Sequence, residues 1–347
     1  MVLWLIYFKI VRRMRCLLLL SMLLFPLYDI VGQSYFGMMT YNCENAFDTI
    51  HDEGCDDLEY TPNGLNSWKR DKFYNKIRNI SKVIMSADSI QPVDLICLCE
   101  IENDTVMEWL TKRTALSSIG YEYEITHSFD RRGIDVALMF LPFTFKRIES
   151  QSLRYSSRQT TRDVLRVSGV LMTGDTLDVY AVHLPSKLNG RKSAKLRKEI
   201  VKMVRSNVDS IISLRTNPQI IVIGDFNDNP KSNLMRKELG ASALKTDELT
   251  QKNKLYNLTS SCHYGTYKYQ GHWNTIDQII SNATLLNKGN GIVFNPNQTR
   301  IVNNAFLLEE DTKYGGVKPK RSFLGNFYRK TGFSDHLPVY ARFTYNY

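Results

Sequence analysis

From residue 35 onward, apolar positions recur in short strand-like runs, interrupted by a few stretches with helical spacing. Tyr35–Cys43 alternates loosely and predicts a strand ending at Asn42–Asn45. His51–Asn66 is acidic, then rich in turn residues, and predicts a loop. Phe73, Ile77, Ile80 and Ile84 share one helical face, which predicts a helix capped by Ser67. Val93–Cys99 reads as a buried strand running into Glu100, and Asp104–Ser118 as a helix. Further strands are predicted at Tyr121–Thr126, Ile134–Phe140, Phe143–Leu153, Val164–Met172 and Thr176–Val182. Lys192–Leu214 is a basic amphipathic helix leading into Ile220–Gly224, apolar or small and mostly β-branched, a buried strand. Residues 245–274 read as a long loop, Ile276–Ser281 as a strand, and Ile292–Leu308 as containing more strand. Residues 311–331 predict a loop bearing Gly, Lys and aromatic residues, and Leu337–Thr344 a closing strand.

Strands in runs broken by a few helices favour an α+β fold, two sheets face to face with helices outside, over a regularly alternating parallel sheet. No Pro/Gly/Ser linker divides residues 33–347, so one domain is expected there. The composition, 43% hydrophobic and 11% aromatic in 347 residues, supports a sizeable core.

The first 32 residues stand apart. Lys9, Arg12, Arg13 and Arg15 precede the apolar run Cys16–Leu27, which fits a secretory signal peptide; an uncleaved N-terminal anchor is the competing reading. The run is short for a membrane span. Met14 as the start would give a shorter basic leader, and cleavage after Gly32 would leave Gln33 first. The exported chain then carries 41 basic against 34 acidic residues, a net +7, which suits anionic partners or simple solubility. Five cysteines remain after Cys16, an odd number. Cys97 and Cys99 alternate like core residues; a bridge between Cys43 and Cys55 would suit an oxidising compartment, but the sequence does not establish it.

Polar residues recur where strands end. Asn42, Glu100 and His183 each close an apolar run, and Asp225 and Asn227 follow Ile220–Ile223 two residues apart. If the extended backbone persists, those two point to one side and Phe226 to the other. Asp277 lies within Thr275–Ile280, and Asp335 and His336 precede Leu337–Tyr340. Each alone also reads as a cap, a turn or a satisfied loop residue. Together they supply carboxylates, carboxamides and two imidazoles, without a Cys nucleophile or GxSxG. That set suits hydrolysis assisted by a hard divalent ion.

Six segments carry a resemblance: TYNCEN (40–45), ICLCEIEN (96–103), AVHLPSK (181–187), IGDFNDNP (223–230), NTIDQII (274–280) and SDHLPVYARF (334–343). In content and order the chain resembles the endonuclease/exonuclease/phosphatase superfamily of deoxyribonuclease-like phosphoesterases. The GDFN and SDHLPV pieces are the specific ones. The resemblance implies a four-layer α/β sandwich with its site at one edge between the sheets. It implies magnesium, or manganese, held chiefly by Glu100, with Asn42 supporting and Asp335 nearby. It implies that Asp225 orients or deprotonates the attacking water and that Asn227 bonds the phosphoryl oxygens. His183 and His336 would bind the scissile phosphate, and Asp277 would buttress one of them. Asp225 is favoured as base, because an adjacent carboxylate would raise the pKa of His336 and make it a poor base at neutral pH. The sequence departs from many relatives at Asp135, which would pair with His183 or with Arg131 or Arg132.

Arg131, Arg132, Arg154 and Arg158 are candidates for substrate phosphates. Basic and aromatic residues interleave in Lys313–Lys330, which suits phosphates and bases, a lipid head group, or plain loop packing. His263, Tyr264, Tyr267, Tyr269, His272 and Trp273 form a second cluster, a candidate substrate wall. The leading expectation is an exported magnesium-dependent phosphodiesterase, a nuclease of low sequence specificity. The alternatives are a phosphomonoesterase, a phospholipid or sphingolipid phosphodiesterase, and a catalytically silent phosphate-binding protein. The substrate partner expected is nucleic acid, with membrane-surface lipid second; the sequence points to no protein partner.

Overall fold

The computed structural model describes residues 35–155, 160–244, 253–286 and 291–346. The leader, residues 1–32, and Arg158 lie outside them. The chain forms β1 (Tyr35–Ala46), a helix Arg70–Ser86, β2 (Leu95–Ile101), a helix Asp104–Lys112 and β3 (Glu122–Ile125). It continues through β4 (Asp135–Phe140), β5 (Phe145–Leu153), β6 (Val164–Leu171), β7 (Thr176–His183), a helix Gly190–Leu214 and β8 (Gln219–Asp225). Next come β9 (Ala241–Ala243), β10 (Leu255–Asn257), β11 (Tyr267–Tyr269), β12 (His272–Asn274), β13 (Asp277–Asn282) and β14 (Gly291–Ile301). The last are β15 (Leu308–Glu310), β16 (Val317–Pro319), β17 (Phe323–Leu324), β18 (Phe327–Tyr328) and β19 (Val339–Asn346).

Two mixed sheets result. One runs β14-β19-β1-β2-β4-β3, parallel at β1–β2; the other runs β5-β6-β7-β8-β13-β10-β9, parallel at β7–β8 and β10–β9. Period-two alternation assigns their faces. Cys97 and Cys99 point across to the second sheet, with the thiols 3.7 Å from the Ile223 carbonyl and 3.5 Å from the Val182 carbonyl. Ile221 and Ile223 join that shared core, whereas Ile220 and Val222 pack with Val204 and Val208 of the helix Gly190–Leu214. On the other side, Phe73, Ile77, Ile80 and Ile84 bury as their spacing predicts. Helix, sheet, sheet, helix: the expected four-layer sandwich is the observed one.

Several boundaries differ from expectation. The first helix starts at Arg70, after Lys69, and Ser67 does not cap it. Ser67 instead has a left-handed backbone (φ 43°) that turns Trp68 inward. Trp68 is fully buried against Tyr60, Phe323 and Tyr328, and its Nε1 donates to the Phe47 carbonyl at 3.0 Å. Burying an indole outweighs a cap of about 1 kcal/mol. Asp104–Ser118 breaks at Lys112, and a separate 3₁₀ turn, Ala115–Ser118, follows. The segments read as loops, 245–274 and 311–331, contain strands of two or three residues, too short to show a period. Phe323 and Tyr328 bury in the Trp68 cluster, so packing accounts for these two rings. Cys43 and Cys55 are free thiols: Cys43 is buried in the sheet, and Cys55 packs beside Gly133. No helix among the described residues is long and apolar enough to cross a membrane.

Candidate active site

Strand register carries the polar residues to one edge. β7 pairs His183 with Asp225 of β8, and β13 pairs Asp277 with the same Asp225. The three are neighbours across three strands. Gly224 makes this possible: a Cβ there would lie 1.9 Å from the Val182 carbonyl, and its φ of 139° excludes most side chains. In the other sheet β1 pairs Asn42 with Cys99, and both strands bulge directly afterwards. Glu44, Asn45 and Glu100 take left-handed backbones there (φ 51°, 59° and 63°), as does Asn227 (φ 48°). Such geometry costs about 1–3 kcal/mol per residue and concentrates at functional sites. Asn tolerates it; two glutamates do not adopt it without support.

That support is visible. Glu100 Oε2 accepts from the Asn45 amide at 2.9 Å, which leaves Oε1 facing His183 Nε2 at 3.9 Å. His183 Nε2 lies 3.7 Å from Asp225 Oδ2. Asp225 accepts from the Asn227 amide (2.8 Å), Asn42 Nδ2 (3.1 Å) and Asn227 Nδ2 (3.3 Å). Asn227 therefore does lie beside Asp225, but through a tight left-handed turn, because the strand stops at Asp225. Ser334 donates to the Asn42 carbonyl at 2.7 Å and accepts from the His336 amide at 3.0 Å, tying the SDH segment to β1. His336 Nδ1 meets Asp277 Oδ2 at 2.8 Å, and its Nε2 lies 3.9 Å from Asp335 Oδ1. All the catalytic and metal candidates named from the sequence thus form one chain of neighbouring groups, Glu100–His183–Asp225–Asn42/Asn227 and Asp277–His336–Asp335.

The two histidines differ in charge. Burial, then the charges of Arg162 and Arg132, hold His183 well below the ordinary imidazole value, so it is neutral. Two carboxylates face its Nε2, which assigns the proton to that nitrogen. Burial also opposes charge on His336, but the charge and hydrogen bond of Asp277, with Asp335 and Asp225, outweigh it and raise the pKa well above the ordinary value. Burial, then Asp277, pushes Asp225 up to about 7.

Three residues that sequence reasoning did not place here complete the site. Glu44 is buried, accepts from the Ser322 amide at 2.5 Å and meets Arg321 at 3.0 Å. Burial, then Asp335, raises it to about 7. Arg321 also meets Asp335 at 3.3 Å, so it neutralises site carboxylates from a loop read as substrate-gripping. Lys76, fully buried, donates to Ser322 Oγ at 2.5 Å and to the Phe333 carbonyl at 3.1 Å. Glu44 shares the parity of Asn42 within TYNCEN, the one signal that could have found it; Lys76 and Arg321 give none.

The donors fit a hard cation. The ion-ligand candidates Glu100, Asn42 and Asp335 offer oxygens, and burial with a neighbouring carboxylate pushes both Asp225 and Glu44 up to about 7, a crowding that a cation would relieve. Ligand atoms of Asp225, Asp277 and His336 lie within 4.8 Å of one another, as do those of Asp52, Asp57 and Glu102 around the loop after β1.

The arginines and Asp135 fare differently. Asp135 accepts from Thr126 Oγ1 (2.5 Å) and the Ser128 amide (3.0 Å), so among the described residues it braces a turn and pairs with neither His183 nor Arg131 or Arg132. Arg154 is engaged with Asp163 through two nitrogens, Arg131 meets Asp56 at 3.0 Å, and Arg132 lies 3.7 Å from Asp130. Of the aromatic cluster, Tyr267 packs on His336 with ring centroids 5.0 Å apart, while Tyr264 packs on Trp273.

A family model described as Endonuclease/Exonuclease/phosphatase family matches residues 37–344. No curated protein matches in sequence. Among solved structures, truncated Caenorhabditis elegans TDP2 superposes with a TM-score of 0.53 at 13% identity, covering 89% of this chain and 97% of its own. The mannosyl-6-phosphatase Bt3783 of Bacteroides thetaiotaomicron gives 0.55 at 14% identity, covering 89% and 100%. At such identities the likeness shows the fold alone.

Proposed function

The chain belongs to the endonuclease/exonuclease/phosphatase family, whose members are metal-dependent phosphoester hydrolases, and from this we propose an exported, magnesium-dependent phosphodiesterase acting as a nuclease of low sequence specificity. The observation that carries the chemistry is the unbroken run of contacts from Glu100 through His183 to Asp225, drawn from three separate strands. The basic balance after the leader supports an anionic polymer as substrate.

Each residue has work suited to its state. Glu100, Asn42 and Asp335 would hold the ion, magnesium or manganese, which supplies Lewis-acid polarisation of the phosphoryl oxygens. Asp225, with both oxygens fixed and a pKa near operating pH, takes the proton from water. Neutral His183 directs its Nε2–H between Glu100 and Asp225, where it donates to a phosphoryl oxygen. Cationic His336 stabilises the charge growing on that group. Asn227 Nδ2 gives its two protons to the Leu184 carbonyl at 2.9 Å and to Asp225 Oδ2 at 3.3 Å, so it reaches a phosphoryl oxygen only by releasing Asp225.

Asp277→Asn tests the division of labour. The folded pKa of His336 lies above its unfolded value near 6.5, so its stabilising contribution is complete below that value and is lost as pH rises through the folded pKa. Removing the Asp277 charge lowers the folded pKa. The alkaline fall of kcat/KM then moves to lower pH, and the protein loses stability chiefly at acid and neutral pH. Rate–pH profiles and urea unfolding at several pH values measure both effects; an alkaline limb that stays in place counts against a cationic His336.

The substrate is tested by assaying the purified protein on DNA, RNA, bis(p-nitrophenyl) phosphate, sugar phosphates, phosphoinositides and sphingomyelin, with magnesium and with chelator. Metal-dependent cleavage of DNA or RNA is expected. Turnover of sugar phosphates alone would make it a monoesterase, as the name of the Bacteroides neighbour suggests for that protein. Metal-dependent turnover of the lipids alone would make it a lipid phosphodiesterase. Inactivity on every substrate favours a silent binding protein.

A further inference from the structure

Beside the proposed active site lies a cavity of about 790 Å³, between the turn around Asp130, the start of β6 and the first turns of the helix Gly190–Leu214. Arg131, Arg132, Arg162 and Lys192 line it against one carboxylate, Asp130. Arg162 is held by Asp130 Oδ2 and by the Leu184 carbonyl, both at 2.9 Å. The same carbonyl accepts from Asn227 Nδ2, so one backbone oxygen joins the wall of this cavity to the active site.

Two features indicate what the cavity takes. Thr161 Oγ1 and Arg162 Nε are buried without a hydrogen-bond partner among the described residues, although both residues line the cavity and are over nine-tenths buried. Unpaired polar atoms of this kind are costly unless a ligand completes them. Second, the positive end of a 25-residue helix enters the wall with Lys192 and Ser193 and without an acidic residue in its first turn. A helix start normally favours negative charge, so basic residues there leave a deficit that an anion fills. Guanidinium, ammonium, hydroxyl and helix dipole together suit a phosphate.

We propose that this cavity is a subsite for a second phosphate of the substrate, which rests on reading the neighbouring site as a phosphoesterase. The preferred substrates then carry two phosphate groups, one at the reacting centre and one against Arg162, Thr161 and Lys192. A nucleotide chain and a phosphorylated inositol both offer that chemistry.

Titration calorimetry with magnesium, in an Asp225→Asn background so that ligands are not consumed, decides it. Thymidine 3′,5′-bisphosphate is compared with each thymidine monophosphate, and inositol 1,4-bisphosphate with inositol 1-phosphate. We expect the bisphosphate to bind at least about tenfold more tightly in one pair, and Lys192→Ala or the isosteric Thr161→Val to bring the ratio within about threefold. The pair that responds names the source of the phosphate. Equal affinities within both pairs, absence of binding, or a preference that survives both substitutions overturns the subsite. Hydrolysis of bis(p-nitrophenyl) phosphate by the unsubstituted protein is read separately; its absence counts against the phosphoesterase reading itself.

Discussion

Asp225→Ala lowers kcat for a phosphodiester by about a thousandfold, with KM changing by less than about threefold. The carboxylate is fixed by three donors, two of them from Asn227 and one from Asn42, and it lies beside Asp277 and His183. A base held this firmly acts on the reacting water and adds little to ground-state binding. The rival base is His336, but Asp277 keeps that imidazole charged, and a charged imidazole has no lone pair to offer. The two assignments separate in one series. If Asp225 is the base, Asp225→Ala removes the acid limb of the rate–pH profile, and His336→Ala leaves that limb in place while slowing the reaction at every pH. If His336 were the base, the acid limb would disappear in His336→Ala instead.

Glu100→Gln raises the magnesium concentration needed for half-maximal activity by about a hundredfold. The change removes one negative charge, while the amide oxygen can still accept from Asn45. The metal-free protein should be no less stable than the parent, because the amide keeps the Asn45 bond and takes one negative charge out of a site that already holds Asp225 beyond His183. Loss of metal affinity without loss of folding separates an ion ligand from a structural brace. Manganese titration followed by urea unfolding of the metal-free proteins measures both quantities. Unchanged metal dependence would remove Glu100 from the ion site.

Much of this was legible in the chain because strand ends leave a local signature. Asp225 follows four β-branched residues, Ile220–Ile223, and Gly224, and His183 follows the apolar Val179–Val182, so their places at a sheet edge are written in a few neighbouring residues. Their proximity to each other was not, because it depends on the parallel register of β7 and β8, set by contacts 42 residues apart in sequence. Glu44 was half-visible, two residues beyond Asn42, but its role depends on Arg321 and Ser322, 277 and 278 positions away. Lys76 falls beside Ile77 on the helix and reads as an ordinary solvated lysine until Phe333 and Ser322 close over it. Ser67 was misplaced as a cap because local propensity yielded to the burial of Trp68, a tertiary effect that no window of sequence contains. The partners of the loop arginines were not legible: a charge on an irregular segment does not reveal that Asp163 lies against Arg154 or Asp56 against Arg131.

The most direct test is anomalous diffraction from crystals of the purified protein soaked with manganese. The active-site assignment predicts a peak within about 2.5 Å of a Glu100 carboxylate oxygen, on the side where Glu100 faces His183 and Asp225. A peak confined to Asp52, Asp57 and Glu102, with none at Glu100, would contradict it.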